Sequence, residues 1–168
     1  QVAELAIRQN KKYAAVFYPD SEWGERLNRA FTEYYELLGG TVLTAANYAA
    51  DTNDYRRPIR TLLNLDQSAI RHRKVENTIG ASAKSEPYRR QDIDMIFLAS
   101  THHSARGIMP AFKFHHAGSL PVYSTSHVYT GKINPELDRD LNGIVFCDLP
   151  WILQNNSPLA ETFKQNWP

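Results

Sequence analysis

From Tyr13 to Tyr18 the chain is a short apolar run rich in β-forming residues, and Pro19-Asp20 is expected to stop it. A helical pattern then begins, with Leu27, Ala30, Phe31, Tyr34 and Leu38 spaced as one apolar stripe. Asp20 or Ser21 can cap its first amides, and Glu22 and Glu25 suit its positive end. Gly39-Gly40 offers a left-handed exit, and a second β-rich run, Thr41–Leu43, follows. Strand, helix and strand at this spacing predict a right-handed βαβ unit, hence parallel strands with helices on the sheet faces.

The pattern on either side extends this unit. Val2–Lys12 reads as a helix that ends in basic residues, and a polar loop, Tyr48–Asp54, is expected after the second strand, with Ala46–Asn53 at the strands' carboxyl ends. Ile59, Leu62 and Leu63 mark the next helix, with Pro58 tolerated in its first turn. Asp92–Ala99 is the clearest strand, a continuous apolar run of the kind found in strands covered on both faces. Ser100 or Thr101 can cap a helix striped by Ala105, Ile108, Met109 and Phe112, with Pro110 inside it and Gly118 at its end. Leu120–Ser124 and Gly143–Cys147 complete the strands, and Leu149-Pro150-Trp151 leaves the sheet. A polar tail with a short helical pattern at Leu159–Phe163 closes the chain.

These elements predict an α/β fold, a doubly wound parallel sheet (Rossmann-like) of four or five strands between Tyr13 and Cys147. Residues 1–153 form the folded unit, and 154–168 a tail or crossover. The strand Ile93–Ala99 should be central. In such sheets ligands sit beyond the carboxyl ends of the strands. That rule selects Asp20, Ser21, Trp23, Ser100, Thr101, His102, Ser124, Thr125 and Ser126, which should gather at one end. Trp23 could stack on a ligand or cover the sheet's edge.

Composition narrows the function. The 168 residues suit one domain with a real core, at 42% hydrophobic and 22% charged. A net charge of +1 argues against nucleic acid, which needs a clustered basic excess. No apolar run reaches the roughly 20 residues of a membrane span. The chain opens on Gln1 and not Met, and is expected to be an excised part of a longer protein. Cys147 stands alone in an apolar run, a core residue and not a nucleophile. Asp66–Arg90 is the most basic stretch: Arg71, Arg73, Lys74, Arg89 and Arg90 make either a solvated face beside a mobile loop at Gly80–Pro87 or a docking surface for an acidic partner.

Catalytic signatures are missing from the sequence. There is no dinucleotide fingerprint, P-loop or nucleophile elbow. His102-His103 and His115-His116 fall at opposite ends of one helix, too far apart to share an ion, so no metal or cofactor is expected. Asp92 and Asp94 alternate at a strand's start, where solvated or capping carboxylates are common.

Family resemblance adds to this reading. Tyr13–Gly40, with its Pro-Asp-Ser-Glu-Trp-Gly turn, and Asp54-Tyr55 before Ile59 and Leu62-Leu63, resemble a single lobe of a type I periplasmic-binding-protein fold. The runs Arg89–Ala99, Ala117–Ser126 and Asp140–Ile144, with Asp148–Trp151, resemble the LppC family over nearly all of Ala3–Leu153. The resemblance implies part of an outer-membrane lipoprotein in the periplasm. Such a protein is a non-enzymatic activator of a bifunctional penicillin-binding protein, which it stimulates by contact. A lipid-bearing cysteine, helical repeats and a first lobe would then belong to the parent protein. The alternative implied function is a solute-sensing lobe for an amino acid or muropeptide. In a severed lobe, Asp148–Leu153 should pack against a neighbouring molecule or swap with it, because Trp151, Ile152 and Leu153 are too apolar for a free tail.

Overall fold

The computed structural model describes residues 1–67, 70, 89–132, 134–153, 162 and 166. Five parallel strands form one sheet: β1 (Tyr13–Asp20), β2 (Thr41–Ala49), β3 (Met95–Leu98), β4 (Val122–Ser124) and β5 (Ile144–Phe146). Their order is β2-β1-β3-β4-β5, so β3 lies at the centre as its apolar run predicts. Ile96 is fully buried and Phe97 is 3% exposed. The helices are α1 (Val2–Arg8), α2 (Glu22–Leu37), α3 (Arg56–Leu62), α4 (His102–Phe114) and the short α5 (Pro150–Leu153).

Each face of the sheet carries its own core. On one, Ala14, Val16, Met95, Phe97 and Tyr123 meet Ala3 and Ala6 of α1 and Phe31 and Tyr35 of α2. On the other, Ala15, Phe17, Ile96, Leu98 and Val122 meet Ile59 and Leu62 of α3 and Ala105, Ile108, Met109 and Phe112 of α4. Successive strand residues alternate between these cores, which is why β1 and β3 read as unbroken apolar runs. Phe97 stacks on Phe31 with ring centroids 4.0 Å apart and planes 4° from parallel. Tyrosine hydroxyls tie α1 and its exit to the rest: Tyr34 donates to Glu4, Tyr35 to the Lys11 carbonyl and Tyr123 to Gln9.

Several sequence expectations need correction. Strand β1 runs through Pro19 to Asp20 instead of stopping. The carbonyls of Tyr13 and Phe17 face β3, accepting from Asp94 and Ala99, so Pro19 faces that side too. β3 has already ended there, and proline's missing N–H removes no ladder bond. Strand β2 likewise continues to Ala49, past the point where a loop was expected at Ala46. On α2 the buried stripe is Gly24, Phe31 and Tyr35; Ala30 and Tyr34 are exposed. Gly24 belongs to it because a Cβ there would lie 2.0 Å from the Pro19 carbonyl oxygen. Ser21, not Asp20, caps α2, accepting from the Gly24 N–H at 3.1 Å. Gly39, at φ 88°, supplies the predicted left-handed exit. Helix α4 turns out at His116, with φ 61°, ahead of the expected Gly118.

The segment after β5 folds as α5, and Leu153 lines a cavity of about 300 Å³ with Tyr129, Ile144 and Phe146. Leu149 and Leu153 remain 47% and 49% exposed. The side chain of Trp151, the mobile-loop expectation at Gly80–Pro87, and the tail at 154–168, apart from Thr162 and Asn166, lie outside the described residues.

Removing the Phe97 ring empties the space between β3 and α2. Phe97→Ala should lower unfolding free energy by about 3–5 kcal/mol in a urea titration. An unchanged midpoint would contradict the packing described.

His115, at the end of α4, is 7% exposed, and its Nε2 has no hydrogen-bond partner among the described residues. Burial, aided by Arg60, His116 and Arg56, holds its pKa below the ordinary 6.5. Below that ordinary value the unfolded chain takes up a proton that the folded chain resists. Stability is therefore full above about pH 6.5 and falls as the pH drops through it, levelling off below the folded value. Thermal midpoints should drop more steeply on acidification for the wild type than for His115→Leu. Parallel profiles would remove His115 from the acid response.

Candidate functional site

Because all five strands are parallel, every strand's carboxyl end opens on the same end of the sheet. Asp20 ends β1 there, Ser21 links it to α2, and Trp23 lies in the first turn of α2. Ser100 and Thr101 link β3 to α4, which His102 opens; Ser124 ends β4, and Thr125 and Ser126 follow it. The structure thus brings these nine residues to one rim, but it gives them different work.

Four hydroxyl-bearing members, Ser100 and Ser124 buried, Ser21 half-buried and Thr101 exposed, hold the rim together. Ser124 is fully buried, and its hydroxyl donates to the Leu98 carbonyl at 2.6 Å, joining β4 to β3. Ser100, also fully buried, donates to the Thr101 carbonyl at 2.8 Å. Thr101 caps α4, its Oγ1 accepting from the Ser104 N–H. Ser21 caps α2 in the same way. These hydroxyls therefore close backbone groups that the strand-to-helix turns would otherwise leave unpaired.

The outer members face solvent. Asp20 is exposed and accepts from the Asn47 side-chain amide at 3.4 Å. The Trp23 and His127 rings meet edge to face with centroids 5.0 Å apart, closing the rim between the α2 start and the turn after β4. Thr125 Oγ1 lies 3.2 Å from His127 Nδ1.

Two members of the rim escaped the sequence reading. Tyr48 donates from its hydroxyl to the Ala99 carbonyl at 2.9 Å, and burial pushes its pKa up to about 12. It was hidden because β2 runs further than its β-rich start suggests. His127 stands directly after Thr125 and Ser126, which were already placed at the rim, and its pairing with Trp23 spans more than a hundred residues. No local pattern signals such a pair.

The basic candidates lie elsewhere. Arg71, Arg73 and Lys74 are outside the described residues. Arg89 and Arg90 precede β3, at the opposite end of the sheet. Arg89 donates to the His116 carbonyl and Ser119, while Arg90 forms a two-pronged pair with Asp92 at 2.8 and 2.7 Å. That pair holds the Asp92 carboxyl below its ordinary range. Asp94 accepts from the N–H groups of Lys12 and Tyr13, both at 3.0 Å, fastening the start of β1 to that of β3. Among the described residues no group of three or more His, Cys, Asp or Glu could hold a metal ion.

Sheet order, strand direction and rim together define one lobe of a type I periplasmic-binding-protein fold. The solved structures it resembles include the LpoA (YraM) C-domain from Haemophilus influenzae, a regulator of PBP1A. The likeness has a TM-score of 0.61 at 15% identity, over 98% of this chain and 43% of that one. A Rhodopseudomonas palustris solute-binding protein in complex with 4-hydroxybenzoate matches with a TM-score of 0.58 at 18% identity, over 95% of this chain and 41% of that one. More particularly, the chain belongs to the LppC family, whose description, "LppC putative lipoprotein", matches residues 1–168. Curated relatives include the penicillin-binding protein activator LpoA of Vibrio cholerae, 26% identical over 171 residues. That of Photobacterium profundum is 26% identical over 176 residues. The chain spans only 28% and 27% of their lengths.

Ser124→Ala should cost about 1 kcal/mol of stability, the net worth of one buried hydrogen bond. Thr125→Ala, at the half-exposed rim, should cost less than about 0.5 kcal/mol. The reverse order in a denaturant titration would show that the rim is not held by its inner hydroxyls.

Proposed function

We propose that this chain is part of a non-enzymatic regulator that activates a bifunctional penicillin-binding protein by direct contact. The carrying observation is the match to the LppC family along all 168 residues, together with whole-chain similarity to relatives named as activators of a penicillin-binding protein. In this reading the parent protein is a lipoprotein of the outer membrane, and the lobe faces the periplasm, where it meets the synthase. The lobe supplies a rigid surface to the synthase; no small-molecule chemistry is required of it. The rim supports this, since Ser21, Ser100, Thr101 and Ser124 have backbone partners of their own. Capture of a solute at the strand ends, the second reading, has the fold likeness behind it and no free inner hydroxyl to recommend it.

A purified bifunctional synthase from the same cell tests the reading. The parent protein should raise its rate of glycan polymerisation and cross-linking, and the parent lacking this segment should not. Equal stimulation by both forms would show that the lobe is dispensable for activation.

A further inference from the structure

Among the described residues β2 is an outer strand, and its outward edge is unguarded. The bond from the Thr41 N–H to the Lys12 carbonyl, with Tyr13 and Phe17 facing β3, shows that even-numbered β1 residues face β2. Val16 pairs with Ala45 and Tyr18 with Asn47, so Thr44, Ala46 and Tyr48 turn their backbone groups to β1. Ala45, Asn47 and Ala49 consequently point theirs outward. The Ala49 carbonyl accepts from the Thr52 N–H, as that direction requires. Among the described residues, the N–H groups of Ala45, Asn47 and Ala49, and the carbonyls of Ala45 and Asn47, have no partner and are left for another strand.

Natural edge strands are usually blunted by lysine, proline, a bulge or brevity. Here a register shift after Val42 disturbs the first part of β2, but the stretch Thr44–Ala49 contains neither charge nor proline. Ala45, Asn47 and Ala49 are exposed, and their small side chains leave the sheet surface beside them open. A groove of about 630 Å³ runs along this edge, bounded by Tyr18, Arg57 and Thr61. At its carboxyl end stand the exposed carboxylates of Asp20 and Asp51.

We infer that the outer edge of β2 docks an extended segment of the partner synthase, which adds to the sheet as a sixth strand. This rests on the contact reading proposed above. Backbone hydrogen bonds to Ala45, Asn47 and Ala49 hold the segment, and its larger side chains lie in the groove over the small ones of β2. The carboxylates at the rim select a segment with a basic residue at the end that lies beside Asp20 and Asp51.

The test measures binding of the synthase to the parent protein and to single variants of it. Asn47→Pro removes an outward N–H without touching the ladder to β1, and Ala45→Lys adds a guarding charge. Both should weaken binding by about tenfold or more, equivalent to one lost hydrogen bond or an unfavourable charge, with thermal midpoints unchanged. Asn47→Ala keeps the N–H and should bind within about twofold of wild type. Asp51→Lys should weaken binding and Asp51→Asn do so less. If the wild type binds while Asn47→Pro and Ala45→Lys bind equally well, the edge is not the docking site and the contact reading stands. If Asn47→Ala is as damaging as Asn47→Pro, the side chain and not the edge backbone is recognised, which overturns strand addition. If the wild type fails to bind any synthase, the contact reading falls and this inference with it.

Discussion

The pairing of β1 with β3 is the constraint on which the rest depends. Ala14–Phe17 and Met95–Leu98 are buried on both faces, so their backbone polar groups can be paired only within the sheet and their side chains only by helices on both sides. Asp94 receives the backbone at the start of this pair, and the Ala99 N–H closes on Phe17 at its end. Helices α1 and α2 must then cover one face and α3 and α4 the other. The strand-to-helix turns all fall at one end because the strands run one way. The rim is thus a consequence of the core, and its inner hydroxyls serve the core before they serve any ligand.

The same constraint divides what the sequence reveals from what it hides. β3 is legible because a strand covered on both faces must be apolar at every position. Helix α4 is legible because Ala105, Ile108, Met109 and Phe112 all meet the sheet. The ends of β1 and β2 are less so. Whether Pro19 ends a strand depends on which neighbour it faces, and that is fixed by where β3 stops, about eighty residues away in the chain. His116 as a left-handed exit is hidden for a local reason: Gly118 nearby is the stronger signal on propensity alone.

The candidate site follows the same division. Its position was legible from one βαβ unit, since that unit sets the strand direction and hence the functional end. The employment of each side chain was not. Ser124 bonds to Leu98, Tyr48 to Ala99 and Trp23 meets His127. Each of these partners is distant in sequence and chosen by the fold. Residues selected only for following a strand therefore mix those that build the rim with those that face out from it, and Asp20 is of the second kind.

Native-state hydrogen exchange across a denaturant series tests the central claim most directly. The amides of Ala15, Phe17, Phe97 and Ala99, which point across the β1–β3 pair, should exchange only through global unfolding, with the highest protection in the chain and the full denaturant dependence. The amides of β5 and α5 should open earlier by smaller fluctuations. Exchange at Phe17 or Ala99 through a local opening, below the global free energy, would contradict the account that the rest of the lobe is built upon this pair.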